Sequence, residues 1–366
     1  MRGVLLRFVV VMALGLLLFA VALPSCAQDV DSFYGPLPVF EFHSGFWVNL
    51  HHFLYHEARL RQGTGDARNG AQANPRGPVL KQTAGPAVTL SASEQKLWDD
   101  AIAYYLANLT MKDLQVNIDL ILLKDQLGEF EDCDELTGKK KPVCDAGLPG
   151  KEGAILESVS RIYRTHWWAD QDRENRRWVL RVAPLVREQG VGLSQRLAEI
   201  YQSKWPKEKI HVDVCAFANA SGAYTTLDPL RVTIASTDPR NQGSDALEVL
   251  FHESSHGLAL PVQNAITREC RQREKPIPRN LWHALIYYTT DEVLGPVLQG
   301  TEVDANSSGS NSSATTKNTS MPEEMQEDLT QRGWENYLSV LTLYWQPYLD
   351  GKVKFDDAIA HMVSAI

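Results

Sequence analysis

The chain carries no excess of positive charge: 36 Lys and Arg stand against 45 Asp and Glu, for a net charge of −9. That balance argues against nucleic acid as the main partner, because phosphate binding needs a basic face. No repeat of roughly 20 to 50 residues is present, which sets aside solenoids and propellers. Beyond the N-terminal segment, no apolar run is long enough to span a bilayer. What is left is a globular balance, 44% hydrophobic and 22% charged over 366 residues. That length suits one large or two moderate domains.

The opening "MRGVLLRFVVVMALGLLLFAVALPSCAQ" sets Arg2 and Arg7 before an apolar run and then small residues. This pattern predicts an export signal over residues 1–27. Ser25-Cys26-Ala27 fits cleavage before Gln28. "LPSC" also resembles a bacterial lipobox, which would put a lipid anchor on Cys26, although Pro24 suits that pattern poorly. Retention as a membrane anchor is a third scheme. Simple cleavage is preferred, and the expected location is periplasmic or extracellular. Four cysteines then remain: Cys133, Cys144, Cys215 and Cys270. An even count in an exported chain suggests disulfides, with Cys133–Cys144 closing a polar loop and Cys215–Cys270 the second pair. Four reduced, buried thiols are the alternative.

Residues 28–208 read as mainly helical. "FEFHSGFWVNLHHFLYHEARLRQ" is aromatic and histidine-rich and ends in a helix, and residues 63–92 read as a loop. Ser91 followed by Glu94 predicts a capping box at the head of the next helix. Near residue 209 the pattern changes: "KIHVDVCAF" and "LRVTIAST" are β-rich, with "ANASGAYTTLDP" between them. A helix holding "LEVLFHESSHGLAL" follows, ending at or just before Pro261, and another begins after Pro278 with Asn280 as its cap. Residues 303–322, rich in Ser, Asn and Thr, read as a disordered insertion or surface loop; helices over 323–366 close the chain. The expected fold is predominantly helical α+β, with a small β-sheet, a motif helix and a downstream helix. The core of the chemistry is expected over 209–300.

The motif is His252, Glu253 and His256. At roughly 100° per residue, the two imidazoles lie one turn apart and about 40° from each other, with Glu253 beside them. Leu247, Leu250, Phe251 and Leu258 form an apolar stripe on the opposite side. Gly257, Ser255 and Ala259 are small, leaving room for an ion and a substrate. Two neutral imidazoles at i and i+4 can share one Zn²⁺ at about 2.0–2.1 Å. The glutamate between them can take a proton from a metal-activated water and pass it to a leaving amine. The alternative is a surface helix with two solvated histidines.

Residues 231 to about 296 resemble the HExxH zinc metallopeptidases: a β segment, the "HESSH" helix and a downstream helix. "LWHALIYYTTDE" is also similar to a segment of uncharacterised exported bacterial proteins that carry HExxH. Val262 stands where the metzincin branch would need a third histidine. In the gluzincin branch the third ligand is a glutamate on the downstream helix, so the resemblance favours Glu292, with Tyr288 one turn earlier as a transition-state stabiliser. His283, with Tyr287 one turn later, is the competing third ligand. One straight helix cannot bring both to one ion, since nine residues separate them by about 13.5 Å.

Other polar residues carry weaker readings. His52 and His56, with His51, could hold a second metal, line the substrate cleft, or pack among aromatic rings. Trp167 and Trp168, near His166, read as core or interface. Asp228 and Asp245 could orient the zinc histidines from behind. "RVTIAS" could be an edge strand that pairs with extended substrate. The expected protein is an exported metallopeptidase with one zinc per chain, Glu253 as general base then acid, and a peptide or protein substrate. A non-enzymatic exported or envelope-associated binding protein, with structural zinc or none, is the rival. A zinc hydrolase of non-peptide amides would use the same residues.

Overall fold

The computed structural model describes residues 37–68, 88–130, 147–148, 150–306 and 333–366. The expected signal, Cys26, Cys133, Cys144 and residues 307–322 of the expected insertion lie outside the described residues.

A four-stranded mixed sheet organises the chain. Its strands are β1 (Phe40–His43), β2 (Ile210–Cys215), β3 (Ala223–Leu227) and β4 (Leu230–Ala235), in the order β1-β2-β4-β3. β1 and β4 run parallel to β2, and β3 pairs antiparallel with β4. The fold is predominantly helical α+β, as expected. Two corrections concern the strands. β3 falls in the stretch that pattern alone left between two strands. β4 hydrogen-bonds on both sides, so it is not an edge strand; β3 is. β1 also crosses the division expected at residue 208, because its register partners begin at Ile210.

Side chains alternate across a pleated strand. One face presents Phe40, Ile210, Val212, Val214, Val232 and Ile234. It is covered by α5 (Ala169–Ile200), α6 (Asp245–Ser255), α7 (Leu260–Gln272), α8 (Leu281–Asn306) and the C-terminal α9 (Glu335–Val340), α10 (Gln346–Leu349) and α11 (Phe355–Ala365). The other face lies under α1 (Phe46–Arg68), α2 (Ala92–Asn108), α3 (Ile118–Glu129) and α4 (Gly150–Tyr163). α2 starts at the capping box read from Ser91 and Glu94. α1 runs to Arg68 and α8 to Asn306, so the ends of the expected loop and insertion are helical. No helix among the described residues is long and apolar enough to cross a membrane.

The second face is polar for much of its area. Lys124 of α3, 1% exposed, donates to Thr226 Oγ1 at 3.0 Å and Thr233 Oγ1 at 3.2 Å. Burial drives its pKa down, against the pull of Asp213. Burial works to raise the pKa of Asp213, but the His211 hydrogen bond and the charges of His211, Lys124 and Arg231 outweigh it and hold the carboxyl well below the ordinary range. His211 Nε2 lies 2.8 Å from Asp213 Oδ1 and 2.7 Å from Arg231 Nη2. A guanidinium only donates, so that nitrogen accepts from Arg231 when neutral there and bonds Asp213 when protonated.

The histidines of α1 face this interior and are packing residues. His52 Nδ1 lies 2.7 Å from the Val48 carbonyl and its Nε2 lies 2.8 Å from the Tyr224 hydroxyl, a set that fits the Nδ1–H tautomer. His51 Nδ1 meets Tyr105 Oη at 2.9 Å, and His56 stacks on Phe217 at 4.2 Å. His56 also lines a cleft of about 310 Å³ with Arg59 and Met111. Trp167 stacks on Trp98 at 4.5 Å and Trp168 meets Phe46 edge to face, both half-buried against the core. Cys215 and Cys270 are buried and not disulfide-bonded, which overturns their expected pairing. The reason is spatial: Cys215 packs with the helices of one face and Cys270 with those of the other.

Burial holds His52 and His56 each at a pKa of about 4, against an ordinary 6.5. Between those values the unfolded chain binds protons that the folded chain does not, so stability falls as pH drops through that window. By pH 5 each imidazole costs roughly 2 kcal/mol. His56→Phe, which keeps a ring on Phe217 without the titration, is expected to remove about 2 kcal/mol of the stability lost between pH 7 and pH 5. Urea unfolding at both pH values measures this; equal losses in parent and variant refute it.

Candidate metal centre

α6 buries Ala246, Leu247, Leu250 and Phe251 against the sheet and α8. Each such large apolar side chain contributes roughly 1.5–3 kcal/mol. With that back anchored, the helix presents His252 in its last turn. The backbone then tightens: a 3₁₀ turn covers His256–Leu258, with the His256 N–H bonded to the Glu253 and Ser254 carbonyls. The helix therefore stops short of Pro261, which lies in the first turn of α7. The small residues make close packing rather than space for an ion. A Cβ on Gly257 would sit 2.8 Å from Leu230 Cδ2, and Ser255 and Ala259 are buried in the core.

His283 of α8 meets this turn. Its Nε2 lies 3.4 Å from His252 Nε2. Ring centroids are 5.2 Å apart for His252–His256 and 4.8 Å for His256–His283. One ligand nitrogen from each of the three lies within 4.8 Å of the other two. Two nitrogens at 2.0–2.1 Å from a tetrahedral ion stand roughly 3.4 Å apart, the spacing that His252 and His283 have, so the group could hold a metal ion. Burial lowers His256 to a pKa of about 4, leaving a neutral imidazole with a lone pair at neutral pH.

Aromatic rings fix the three imidazoles. Trp282 stacks near-parallel to His283 at 5.2 Å and meets His256 edge-on at 5.6 Å. Trp334 lies 4.8 Å from His283, and Tyr287 lies 5.6 Å from His252. The C-terminal segment clamps α8 from behind through Trp345 Nε1, which donates to Thr289 Oγ1 at 2.9 Å. Trp282 and Trp334 were not legible as site residues, because nothing in their spacing relates them to the motif.

Of the two expected third ligands, it is His283 and not Glu292 that the structure brings beside His252 and His256. Among the described residues, the metal-capable group is His252, His256 and His283, without Glu292. Glu292 lies on unbroken α8, about 13.5 Å along the axis from His283. Tyr288 does not face the site either. It is 2% exposed, and its hydroxyl donates to Gln346 Oε1 at 2.6 Å. At roughly 100° per residue, Tyr287 shares the His283 face and Tyr288 is turned about 140° away. Asp228 and Asp245 lie away from the three histidines: Asp228 belongs to the β3–β4 turn, and Asp245 is the first residue of α6, where its Oδ1 accepts from Ser244 Oγ at 3.4 Å.

Glu253 is 8% exposed, with Oε2 3.9 Å from His256 Nε2 and 2.6 Å from Thr225 Oγ1. His252 and His283 are half-buried, so the centre is shielded by α6 and reaches solvent on their side. A cleft of about 570 Å³ is lined by His211, Arg231 and Leu230, and the last of these also packs on Gly257. Comparisons with protein-family models, curated proteins and solved structures give no match.

Proposed function

We propose that this chain is a zinc-dependent hydrolase of peptide bonds, belonging to the exported proteins by its N-terminal segment. One observation carries the reading: imidazoles from two separate helices converge beside the buried carboxylate of Glu253. His252, His256 and His283 would hold the ion, leaving a fourth position for water or substrate. Bound zinc supplies a Lewis acid that acidifies water and polarises the scissile carbonyl. Glu253 accepts the proton of the attacking water and returns it to the leaving amine. Tyr287, on the His283 face, is the hydroxyl best placed to meet developing negative charge, a role that shifts from Tyr288 with the third ligand. Any strand-like pairing with substrate passes from β4 to the edge strand β3.

Purified protein is expected to carry about one zinc per chain and to cleave peptides from a mixed library. Chelation should abolish cleavage and added zinc should restore it. Cleavage unchanged after the metal is stripped defeats the proposal. Zinc held without cleavage of any peptide supports the rival, a structural site, or a hydrolase of other amides.

A further inference from the structure

We infer that Thr225 is a positioning residue for Glu253, an inference that rests on reading Glu253 as the general base. β3 places Thr225 on the sheet face toward α6, while Tyr224 and Thr226 turn the other way to meet His52 and Lys124. Thr225 is 2% exposed, so its hydroxyl has no bulk water to bond. Its Oγ1 lies 2.6 Å from Glu253 Oε2 and 2.8 Å from the Glu253 main-chain oxygen. That same oxygen accepts the His256 N–H where the α-helix tightens into the 3₁₀ turn.

One hydroxyl therefore touches both the carboxylate and the backbone point from which His256 is aimed. A single proton serves one of the two oxygens at a time, so the contact is a pivot rather than a double bond. Loss of the hydroxyl removes the 2.6 Å contact that sets the position of Oε2. Valine has nearly the same shape, so Thr225→Val removes the bond with little change in packing volume.

A reacting group displaced by about 1 Å can cost about 100-fold in rate. In metal-loaded protein, Thr225→Val is expected to lower kcat about 10–100-fold with KM nearly unchanged, and Thr225→Ser to recover most of it. Thr225→Ala serves as a second hydroxyl-free variant if valine impairs folding. Crystal structures of parent, valine and serine variants give the readout that does not depend on activity: the Glu253 carboxylate moves in valine and returns in serine. A carboxylate unmoved by valine, a parental kcat in valine, or a serine variant as slow as valine each overturns the inference. A parent that cleaves nothing removes the hydrolase reading alone, since the three structures still decide whether Thr225 sets the carboxylate.

Discussion

Glu253→Gln is expected to keep one zinc per chain and lose about 10²–10⁴-fold in peptide hydrolysis. The substitution preserves shape and leaves an amide oxygen that can still accept the Thr225 hydroxyl, so the turn from α6 into the 3₁₀ segment should stand. It removes the one function an amide cannot supply, proton acceptance near neutral pH. The three imidazoles are untouched, so metal content separates this loss from collapse of the centre. Metal analysis beside initial rates measures both. A glutamine variant that hydrolyses at the parental rate would eliminate Glu253 as the base, whatever the metal does.

The parts of this centre that lie on one helix were legible in the sequence. The spacing of His252 and His256 puts both rings on one side of a turn, and the apolar back of Leu247, Leu250 and Phe251 is buried. The capping box at Ser91 was legible for the same reason, since all its atoms come from four consecutive residues. β3 was less so. Its five residues lie between Gly222 and the Asp228-Pro229 turn, and Tyr224, Thr225 and Thr226 were the β-favouring signal available. Thr225 acquires its role when β3 pairs with β4, across a contact 28 residues long in sequence. That Cys215 and Cys270 form no disulfide depends likewise on which face of the sheet each packs against. The expected room around Gly257 failed because a small residue marks a close approach as readily as a cavity, and here Leu230 fills it.

The third ligand is the sharpest case, and it yields the second large expected effect. Sequence offered His283 and Glu292 on one helix, and which of them meets α6 is set by how α8 crosses it. That crossing is fixed far from the motif: Tyr201 Oη donates to the Ile286 carbonyl at 3.4 Å, and Trp345 and Gln346 hold Thr289 and Tyr288. The first turn of α8 is thereby the one that reaches His252. Removing one ligand from a zinc site forfeits roughly 3 kcal/mol if the apparent affinity of a four-ligand site is shared evenly. His283→Ala is therefore expected to weaken zinc binding about 10²–10³-fold, measured by competition with a chromophoric chelator. Glu292→Gln should leave affinity within about threefold of the parent, since its backbone position lies about 13.5 Å along the helix from that of His283. The reverse outcome, with His283→Ala still tight and Glu292→Gln depleted, would require α8 to cross α6 about 13.5 Å further along its axis. It would return the centre to the glutamate-ligated pattern.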